Sequence, residues 1–168
     1  MLLILSGPQG VGKSTVCERI VSIARSRGFT CGGVLTLKTP DGGIFIRDLS
    51  TGEETTFAGL VARPDVPRTG RFYFEPAGLA FGMDAIRRGL TADLLVIDEL
   101  GILEARGEGF ADAFPLIDSR DQPTIVIIRE WLLDELRPRF SRPGEVVSVS
   151  VSQRDLLPAS VMETLFPA

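Results

Sequence analysis

The sequence predicts an α/β fold in which a mostly parallel sheet is flanked by helices. Three apolar runs at residues 2–5, 94–97 and 124–128 show no polar alternation, which is typical of strands buried on both faces of a parallel sheet. Helical patterns begin near Lys13 and Pro76, so strands and helices alternate as in βαβ units. We expect the whole chain to form one domain, because 168 residues suffice for a single core.

The first strand runs directly into a glycine-rich segment with the spacing G-x-x-x-x-G-K-[ST]. Its fixed positions are filled by Gly7, Gly12, Lys13 and Ser14. Glycines allow the dihedral angles and the close approach that let backbone N–H groups surround a triphosphate. The following helix directs its N-terminal partial positive charge to the same place. We therefore predict a phosphate-binding loop made of Gly7, Pro8, Gln9, Gly10, Val11, Gly12, Lys13, Ser14 and Thr15.

Two residues of this loop have specific expected roles. Lys13 is expected to reach the β and γ phosphate oxygens, and the Ser14 hydroxyl to bind Mg²⁺. The alternative, a glycine-rich turn before an ordinary helix, leaves the register of these two residues unexplained. The helix itself ends near Gly28 and carries an apolar stripe of Val16, Ile20, Ile23 and Ala24.

Composition excludes several other classes of protein. A net charge of −4 and a pI near 4.9 argue against nucleic acid or an anionic membrane as the partner. The absence of histidine excludes Ser-His and Cys-His nucleophiles, and two cysteines are too few for a structural zinc site. Cys17 and Cys31 are predicted to be buried apolar fillers in a reducing compartment. We expect a cytoplasmic protein, because the sequence has neither a secretory signal nor a membrane-spanning run.

The segment after the first helix predicts an antiparallel insertion that extends the sheet. Residues 32–38 and 44–49 flank a Pro-Asp-Gly-Gly turn and read as a hairpin. Residues 55–58 add a third short strand, and Phe72–Phe74 is read as a strand in preference to a base-stacking platform. Residues 59–70 are read as a loop that is able to close over a ligand.

Three arginines, in or next to this loop, are open to two interpretations. They are candidates for contact with phosphate, or they are solvated loop charges. These residues are Arg63, Arg68 and Arg71.

The apolar run at residues 94–97 is followed by a second group of candidate site residues, the acidic pair Asp98-Glu99. Because ligands bind at the carboxyl ends of strands in open α/β sheets, Asp98 is expected to hold the Mg²⁺ of a bound nucleotide. Glu99 is expected to orient or deprotonate the attacking water. The alternative is a solvated strand end, which would be preferred if no phosphate-binding loop preceded it.

The remainder of the chain predicts further elements around this edge. Residues 101–107 read as a connecting loop. Asp98 to Gly101 matches the loose D-x-x-G pattern of GTP-binding switches, but no N-K-x-D segment is present downstream, so that class is disfavoured. Residues 145–151 alternate as an edge strand with Val147, Val149 and Val151 on one face, and a terminal helix is expected from 154 to 166.

Four more arginines lie beyond the run at residues 124–128. Arg129 is a candidate for sensing the γ-phosphate, and a surface pair with Glu130 is an equally good account. The other three cluster with prolines in a segment expected to be mobile and basic. They are Arg137, Arg139 and Arg142.

Five segments share their order and spacing with a known family. They are residues 7–15, 32–33, 73–86, 96–104 and 153–158. Together they resemble the THEP-type nucleoside-triphosphatases, a small P-loop family that includes the cancer-related nucleoside-triphosphatase of animals. The phosphate-binding loop is typical only of a superfamily, whereas the Asp-Glu-x-Gly-x-x-Glu stretch and the ending narrow the resemblance.

The resemblance implies a RecA-like sheet and slow Mg²⁺-dependent hydrolysis of several nucleoside triphosphates, with loose base preference. It implies that Lys13 and Ser14 bind phosphate and Mg²⁺, that Asp98 is the Walker B carboxylate and that Glu99 is the base. Glu104 matches a second acid of the family, to which the resemblance assigns no definite role.

Two other functions share the same loop. In a nucleotide or small-molecule kinase, an organic hydroxyl replaces water as the phosphoryl acceptor. Phosphate release without an added acceptor distinguishes hydrolysis from this activity. A nucleotide-dependent regulatory module would hydrolyse poorly and would exchange partners with the nucleotide state.

Overall fold

A computed structural model describes residues 1–167 of the chain. Its strands over these residues are β1 (Leu2–Ser6), β2 (Cys31–Lys38), β3 (Ile44–Asp48), β4 (Glu54–Gly59), β5 (Arg68–Thr69), β6 (Phe72–Phe74), β7 (Leu94–Leu100), β8 (Thr124–Ile128) and β9 (Glu145–Ser148). Its α-helices are α1 (Lys13–Ser26), α2 (Pro76–Gly89), α3 (Ile102–Ala105), α4 (Ala113–Asp118), α5 (Leu133–Leu136) and α6 (Leu157–Leu165). Two 3₁₀ turns flank α5, at Glu130–Leu132 and Arg137–Arg139.

All nine strands over this range belong to one mixed sheet in the order β5-β6-β4-β3-β2-β7-β8-β1-β9. The pairs from β2 through β7, β8 and β1 to β9 are parallel. The pairs from β2 through β3, β4 and β6 to β5 are antiparallel. The predicted α/β class and the antiparallel extension are therefore confirmed, but the sheet is evenly mixed rather than mostly parallel.

Helices cover both faces of the sheet because strand side chains alternate between two apolar layers. Leu3 and Leu5 of β1 pack into the layer beneath α1 and α6. Leu2 and Ile4 point to the opposite layer, which α2 covers with residues such as Ile86. Each fully buried leucine or isoleucine contributes about 1.5–3 kcal/mol relative to exposure, so this alternation fixes the register of β1 between its neighbours.

Helix α1 has the apolar stripe that the sequence predicts. The two cysteines do not form a disulfide bond. Cys17 and Cys31 are both free and buried, as expected for small apolar fillers. Within residues 1–167, no helix combines the length and the apolar character that crossing a membrane requires.

The middle of the chain differs from the sequence-based expectation. The segment 101–107, expected to be a loop, contains α3, whose start is capped where the Gly101 N–H donates to Glu104 Oε2 at 2.6 Å. The basic segment expected to be mobile is packed instead. Arg139 donates to the carbonyl oxygens of Glu104 and Ala105, both at 2.6 Å. Backbone acceptors therefore hold this segment against α3.

The C-terminal strand is shorter than the alternation at residues 145–151 predicts. Strand β9 ends at Ser148, and the chain then leaves the sheet. Val149 is buried, but Val151 is 67% exposed, so the expectation that both share one face with Val147 is wrong. The terminal helix is present, although it begins at Leu157.

Helix α2 lies against β2 at a contact between glycines. A Cβ on Gly89 would lie 2.8 Å from the carbonyl carbon of Gly32 and would also collide with the backbone nitrogen of Gly33. Both colliding groups are backbone atoms, which move only if the strand moves. The absence of side chains here therefore sets how closely α2 approaches the strand.

We predict that Gly89→Ala destabilises the protein by about 1–3 kcal/mol, because overpacking against a strand outweighs the gain in helix propensity. Urea denaturation would measure the change. Gly59→Ala is the matched control, since a Cβ at Gly59 meets nothing within 4 Å, and its stability should stay within about 0.5 kcal/mol of the wild type. Equal stability of the two variants would contradict this account of the contact.

Candidate active site

The loop between β1 and α1 has the backbone conformation that its glycines permit. Gly10 and Gly12 have φ values of 77° and 104°, which side-chain-bearing residues rarely adopt. Gly7 lies against the chain beyond β9, where a Cβ would come within 2.6 Å of the Val149 carbonyl oxygen. Gly12 immediately precedes α1, so the free N–H groups of the first helical turn face the loop. This is the geometry that binds phosphate oxygens.

Lys13 extends back over the loop and is only 8% exposed. Its Nζ donates to the carbonyl oxygens of Gly7 at 2.9 Å and of Pro8 at 2.8 Å. Burial lowers the pKa of Lys13, the nearby cation of Arg129 acts in the same direction, and the carboxylates of Glu99 and Asp98 oppose them. Within residues 1–167, the hydrogen-bond partners of the Lys13 ammonium are two neutral carbonyl oxygens. An anion at the loop would therefore meet a buried positive charge that has no hydrogen-bonded counter-ion.

Asp98 lies at the end of β7 and is 1% exposed. The N–H and the hydroxyl of Thr36, on neighbouring β2, donate to Asp98 Oδ2 at 3.2 and 3.0 Å. Burial raises the pKa of Asp98 to about 6, while hydrogen bonds from the Ser14 hydroxyl and from Thr36 oppose the rise. The loop residue Ser14 and the strand residue Asp98 are therefore neighbours at the site, although β8 lies between β1 and β7 in the sheet.

Glu99 is the next residue, and it faces Arg129. Arg129 Nε donates to Glu99 Oε1 at 2.9 Å, and the two side chains are 30% and 28% exposed respectively. Glu99, Asp98 and Arg129 all act on the charge of Lys13. Four charged side chains from three separate segments are thus brought to one edge of the parallel strands.

Glu104 has a different place from the other carboxylates. It is 5% exposed, and its two oxygens accept the N–H groups of Gly101 at 2.6 Å and Phe110 at 2.7 Å. Burial raises the pKa of Glu104, and these two hydrogen bonds oppose the rise. Glu104 therefore connects the chain after Glu99 to the loop before α4, and both of its oxygens already have partners.

Six of the seven arginines proposed from the sequence are engaged away from Lys13 and Glu99. Arg63 forms an ion pair with Glu75, and Arg71 lies over the ring of Phe72. The remaining four donate to carbonyl oxygens: Arg68 to Gly70, Arg137 to Gly144, Arg139 to Glu104 and Ala105, and Arg142 to Ile117. Of these seven arginines, and within residues 1–167, Arg129 alone contacts the side chain of a predicted catalytic residue, Glu99.

Two residues at the site were not identified from the sequence. Thr36 was recognised only as part of a hairpin strand, yet it donates two hydrogen bonds to Asp98. Arg154 was placed in the terminal helix, yet its Nη1 donates to the Val11 carbonyl at 3.2 Å and its side chain would lie 3.5 Å from a Cβ on Gly12. Thr36 could have been recognised because it is a polar residue near the end of β2, a strand that pairs in parallel with β7.

The oxygen donors at this site fit Mg²⁺ that is bound together with phosphate and water. They fit less well a metal ion that is bound by protein side chains alone. Among residues 1–167, no group of three or more His, Cys, Asp or Glu side chains has the arrangement of a metal site. The Asp98 carboxylate and the Ser14 hydroxyl are hard oxygen donors that neighbour each other at the site. Mg²⁺ is bound in nucleotide enzymes by one or two such groups, with phosphates and water as its other ligands.

We predict that the free energy of unfolding of the metal-free protein falls as pH rises from about 4 to about 6. The pKa of Asp98 is about 6 in the folded state and about 3.9 when unfolded, so the folded state binds more protons across this window. The expected loss is about 3 kcal/mol, measured by urea denaturation in EDTA.

Asp98→Asn should reduce that slope, and Asp134→Asn, at an exposed position, should leave it unchanged. Part of the slope remains in Asp98→Asn because the pKa of Glu104 is raised in the same direction. Identical slopes in the wild type and Asp98→Asn would contradict the assignment.

Comparison with known proteins identifies the family of this chain. The family model described as NTPase matches residues 2–162. The nucleoside-triphosphatase THEP1 of Methanosarcina barkeri is 31% identical over 165 residues, which cover 95% of this chain and 94% of that protein. The THEP1 of Methanosarcina acetivorans is 32% identical, with coverage of 95% and 93%.

Two solved structures share the fold. The crystal structure of THEP1 from the hyperthermophile Aquifex aeolicus aligns with a TM-score of 0.76 at 18% identity and covers 99% of both chains. The solution structure of a human cancer-related nucleoside triphosphatase aligns with a TM-score of 0.78 at 22% identity, covering 99% of this chain and 97% of that one. With a family model that spans nearly the whole sequence and relatives more than 30% identical along its length, this chain belongs to the THEP1-type nucleoside-triphosphatase family of P-loop NTPases.

Proposed function

We propose that this chain hydrolyses nucleoside 5′-triphosphates, ATP and GTP among them, to the diphosphate and phosphate in a Mg²⁺-dependent reaction with loose base preference. The observation that carries the proposal is the meeting of Lys13, Ser14, Asp98 and Glu99 at one edge of the sheet. The relatives named nucleoside-triphosphatase THEP1 support the same reaction class.

The phosphate-binding loop holds the substrate. The N–H groups of the loop and of the first turn of α1 donate to phosphate oxygens, and the helix dipole adds a partial positive charge. Lys13 leaves the Gly7 and Pro8 carbonyls, which it contacts in the free protein, and binds the β and γ phosphates. Its burial strengthens this interaction because the local dielectric constant is low.

Asp98 and Ser14 would hold the metal ion. Thr36 fixes the orientation of the carboxylate through two hydrogen bonds, so Asp98 is positioned before the nucleotide arrives. When bound, Mg²⁺ supplies positive charge that neutralises the β and γ phosphate oxygens.

Glu99 directs the attacking water. Its carboxylate is 28% exposed, so water has access to it, whereas Asp98 is buried. A carboxylate that accepts a hydrogen bond from water orients the water's lone pair in line with the γ-phosphorus atom. Phosphoryl transfer depends chiefly on such positioning and on charge neutralisation.

We further propose that residues 1–168 act as one domain with a cytoplasmic location and no nucleic acid or membrane partner. One sheet runs through the described chain, and both cysteines are free thiols. The net charge of −4 makes contact with phosphate polymers unfavourable outside the loop.

Phosphate release from ATP, GTP, CTP and UTP, each with Mg²⁺ and with EDTA, tests the proposal. We expect release from all four at similar rates with Mg²⁺ and none with EDTA, because the metal neutralises charge common to every triphosphate. Release that required an added hydroxyl acceptor would instead indicate a kinase. No release under any condition, together with tight nucleotide binding, would favour a regulatory module.

We predict that Glu99→Gln binds triphosphate with near-normal affinity but loses turnover by about 100-fold or more, because an amide cannot accept the water's proton. Calorimetry and phosphate release would measure the two effects. Lys13→Ala is the contrasting variant, in which triphosphate affinity itself falls. Full turnover in Glu99→Gln would remove Glu99 from the mechanism.

A further inference from the structure

Arg129 is a cation of the site to which the proposed function gives no role. It comes directly after β8, and β8 lies between β1, which leads into the phosphate-binding loop, and β7, which carries Glu99. Its Nε donates to Glu99 Oε1 at 2.9 Å. The strand order therefore places this guanidinium between the group that binds phosphate and the group that directs water.

The guanidinium retains donors after it has bonded to Glu99. Within residues 1–167, its two terminal nitrogens make no hydrogen bond, and they carry four N–H groups. The side chain is 30% exposed, so these groups face solvent at the edge where substrate arrives. Planar, forked donors of this kind match the oxygens of a terminal phosphate.

Lys13 and Arg129 act on the same region of charge. Arg129 is close enough for its charge to act on Lys13, and the carboxylates of Glu99, Asp98 and Glu130 act there with the opposite sign. An anion bound at Lys13 therefore also lies within the field of Arg129. Arg154 also carries positive charge to the phosphate-binding loop, where its side chain contacts the Val11 carbonyl oxygen and not Glu99.

We propose that Arg129 binds the γ-phosphate of the bound triphosphate through its terminal nitrogens while its Nε keeps Glu99 in place. The inference rests on the proposed function, because it requires a triphosphate in the phosphate-binding loop. One side chain then sets the distance between the carboxylate that directs water and the phosphoryl group that water attacks. Arg129 is both a γ-phosphate ligand and the positioning residue of Glu99.

This bridge has a consequence for nucleotide discrimination. A diphosphate has no group in the γ position, so it leaves the terminal nitrogens of Arg129 in water. During transfer, negative charge spreads over the equatorial oxygens of the γ-phosphoryl group, and a fixed guanidinium stabilises it there. Arg129 should therefore affect triphosphate affinity and turnover while having little effect on diphosphate affinity.

The simpler account is a partly exposed ion pair with local structural value only. Such pairs make small contributions to stability because water and salt screen them. Under that account, removing the arginine slightly lowers the urea midpoint and changes triphosphate and diphosphate affinity equally. The two accounts therefore differ in the ratio of the two affinities.

The test is Arg129→Gln in the full chain, with a non-hydrolysable β,γ-imido triphosphate and the matching diphosphate as ligands in calorimetry. We expect the Kd of the triphosphate to rise about tenfold or more and that of the diphosphate to stay unchanged, because only the triphosphate loses a charge-assisted hydrogen bond. In steady-state hydrolysis, kcat should fall about 100-fold, with a smaller change in KM.

The Arg129→Lys variant keeps the positive charge but loses the simultaneous contact with Glu99 and the γ-phosphate. A lysine ammonium is a point charge and does not bond to two groups in the fixed fork geometry of arginine. We expect this variant to regain much of the triphosphate affinity while kcat remains low. Full recovery of both quantities would overturn the bridging role of Arg129.

Arg47→Gln is the matched control. Arg47 pairs with Glu54 on the antiparallel half of the sheet, and the two side chains are 35% and 33% exposed, close to the values for Arg129 and Glu99. This variant should leave affinities and kcat unchanged.

If wild-type protein hydrolyses triphosphates but Arg129→Gln keeps the wild-type affinity ratio and kcat, the inference fails and the proposed function stands. If wild-type protein does not hydrolyse triphosphates, the proposed function fails. The affinity ratio still decides whether Arg129 binds the γ-phosphate.

Discussion

The site depends on one buried carboxylate at the junction of three elements. Asp98 of β7 accepts two hydrogen bonds from Thr36 of β2, and it is close enough to Ser14 of α1 for the hydroxyl to lower its pKa. A buried carboxylate is costly unless such donors surround it, so the hydrogen bonds from Thr36 offset part of the cost of burying Asp98. In the proposed reaction, the same hydrogen bonds would orient the carboxylate toward a metal ion. One set of contacts therefore serves both the packing of this residue and its proposed chemistry.

The position of β8 explains why the site includes a basic residue opposite its acid. Strand β8 lies between β1 and β7, so the first residue beyond β8 lies at the same sheet edge as the loop after β1 and the end of β7. That residue is Arg129, which contacts Glu99. Glu104 stabilises the backbone of the same region, because both of its oxygens accept hydrogen bonds from backbone N–H groups. It is a brace for the segment after Glu99 and has no oxygen free of a backbone partner.

The sequence was most informative where a local pattern had one physical explanation. Continuous apolar runs predicted the central strands, and the spacing of glycines, Lys13 and Ser14 predicted the loop, because each depends only on neighbouring residues. Contacts across the fold were not predictable in this way. Thr36 contacts Asp98 because β2 lies next to β7 in the sheet, and Arg154 contacts the phosphate-binding loop because the chain returns to it. No local sequence pattern predicts either contact. Arg139 and Arg142 looked mobile because the carbonyl oxygens that accept their hydrogen bonds belong to distant segments.

The pairing of β1 has a consequence for how the protein is made. Both of its partners, β8 and β9, come far later in the chain, and Gly7 is closed off by Val149, from the last part of the sequence. Contacts between such distant segments form slowly, because a long stretch of chain must first be ordered. On the ribosome, β1 therefore has no partner strand until β8 and β9 have emerged. A nascent chain that ends before Val149 also lacks the backbone that lies against Gly7, so its phosphate-binding loop is still open on that side.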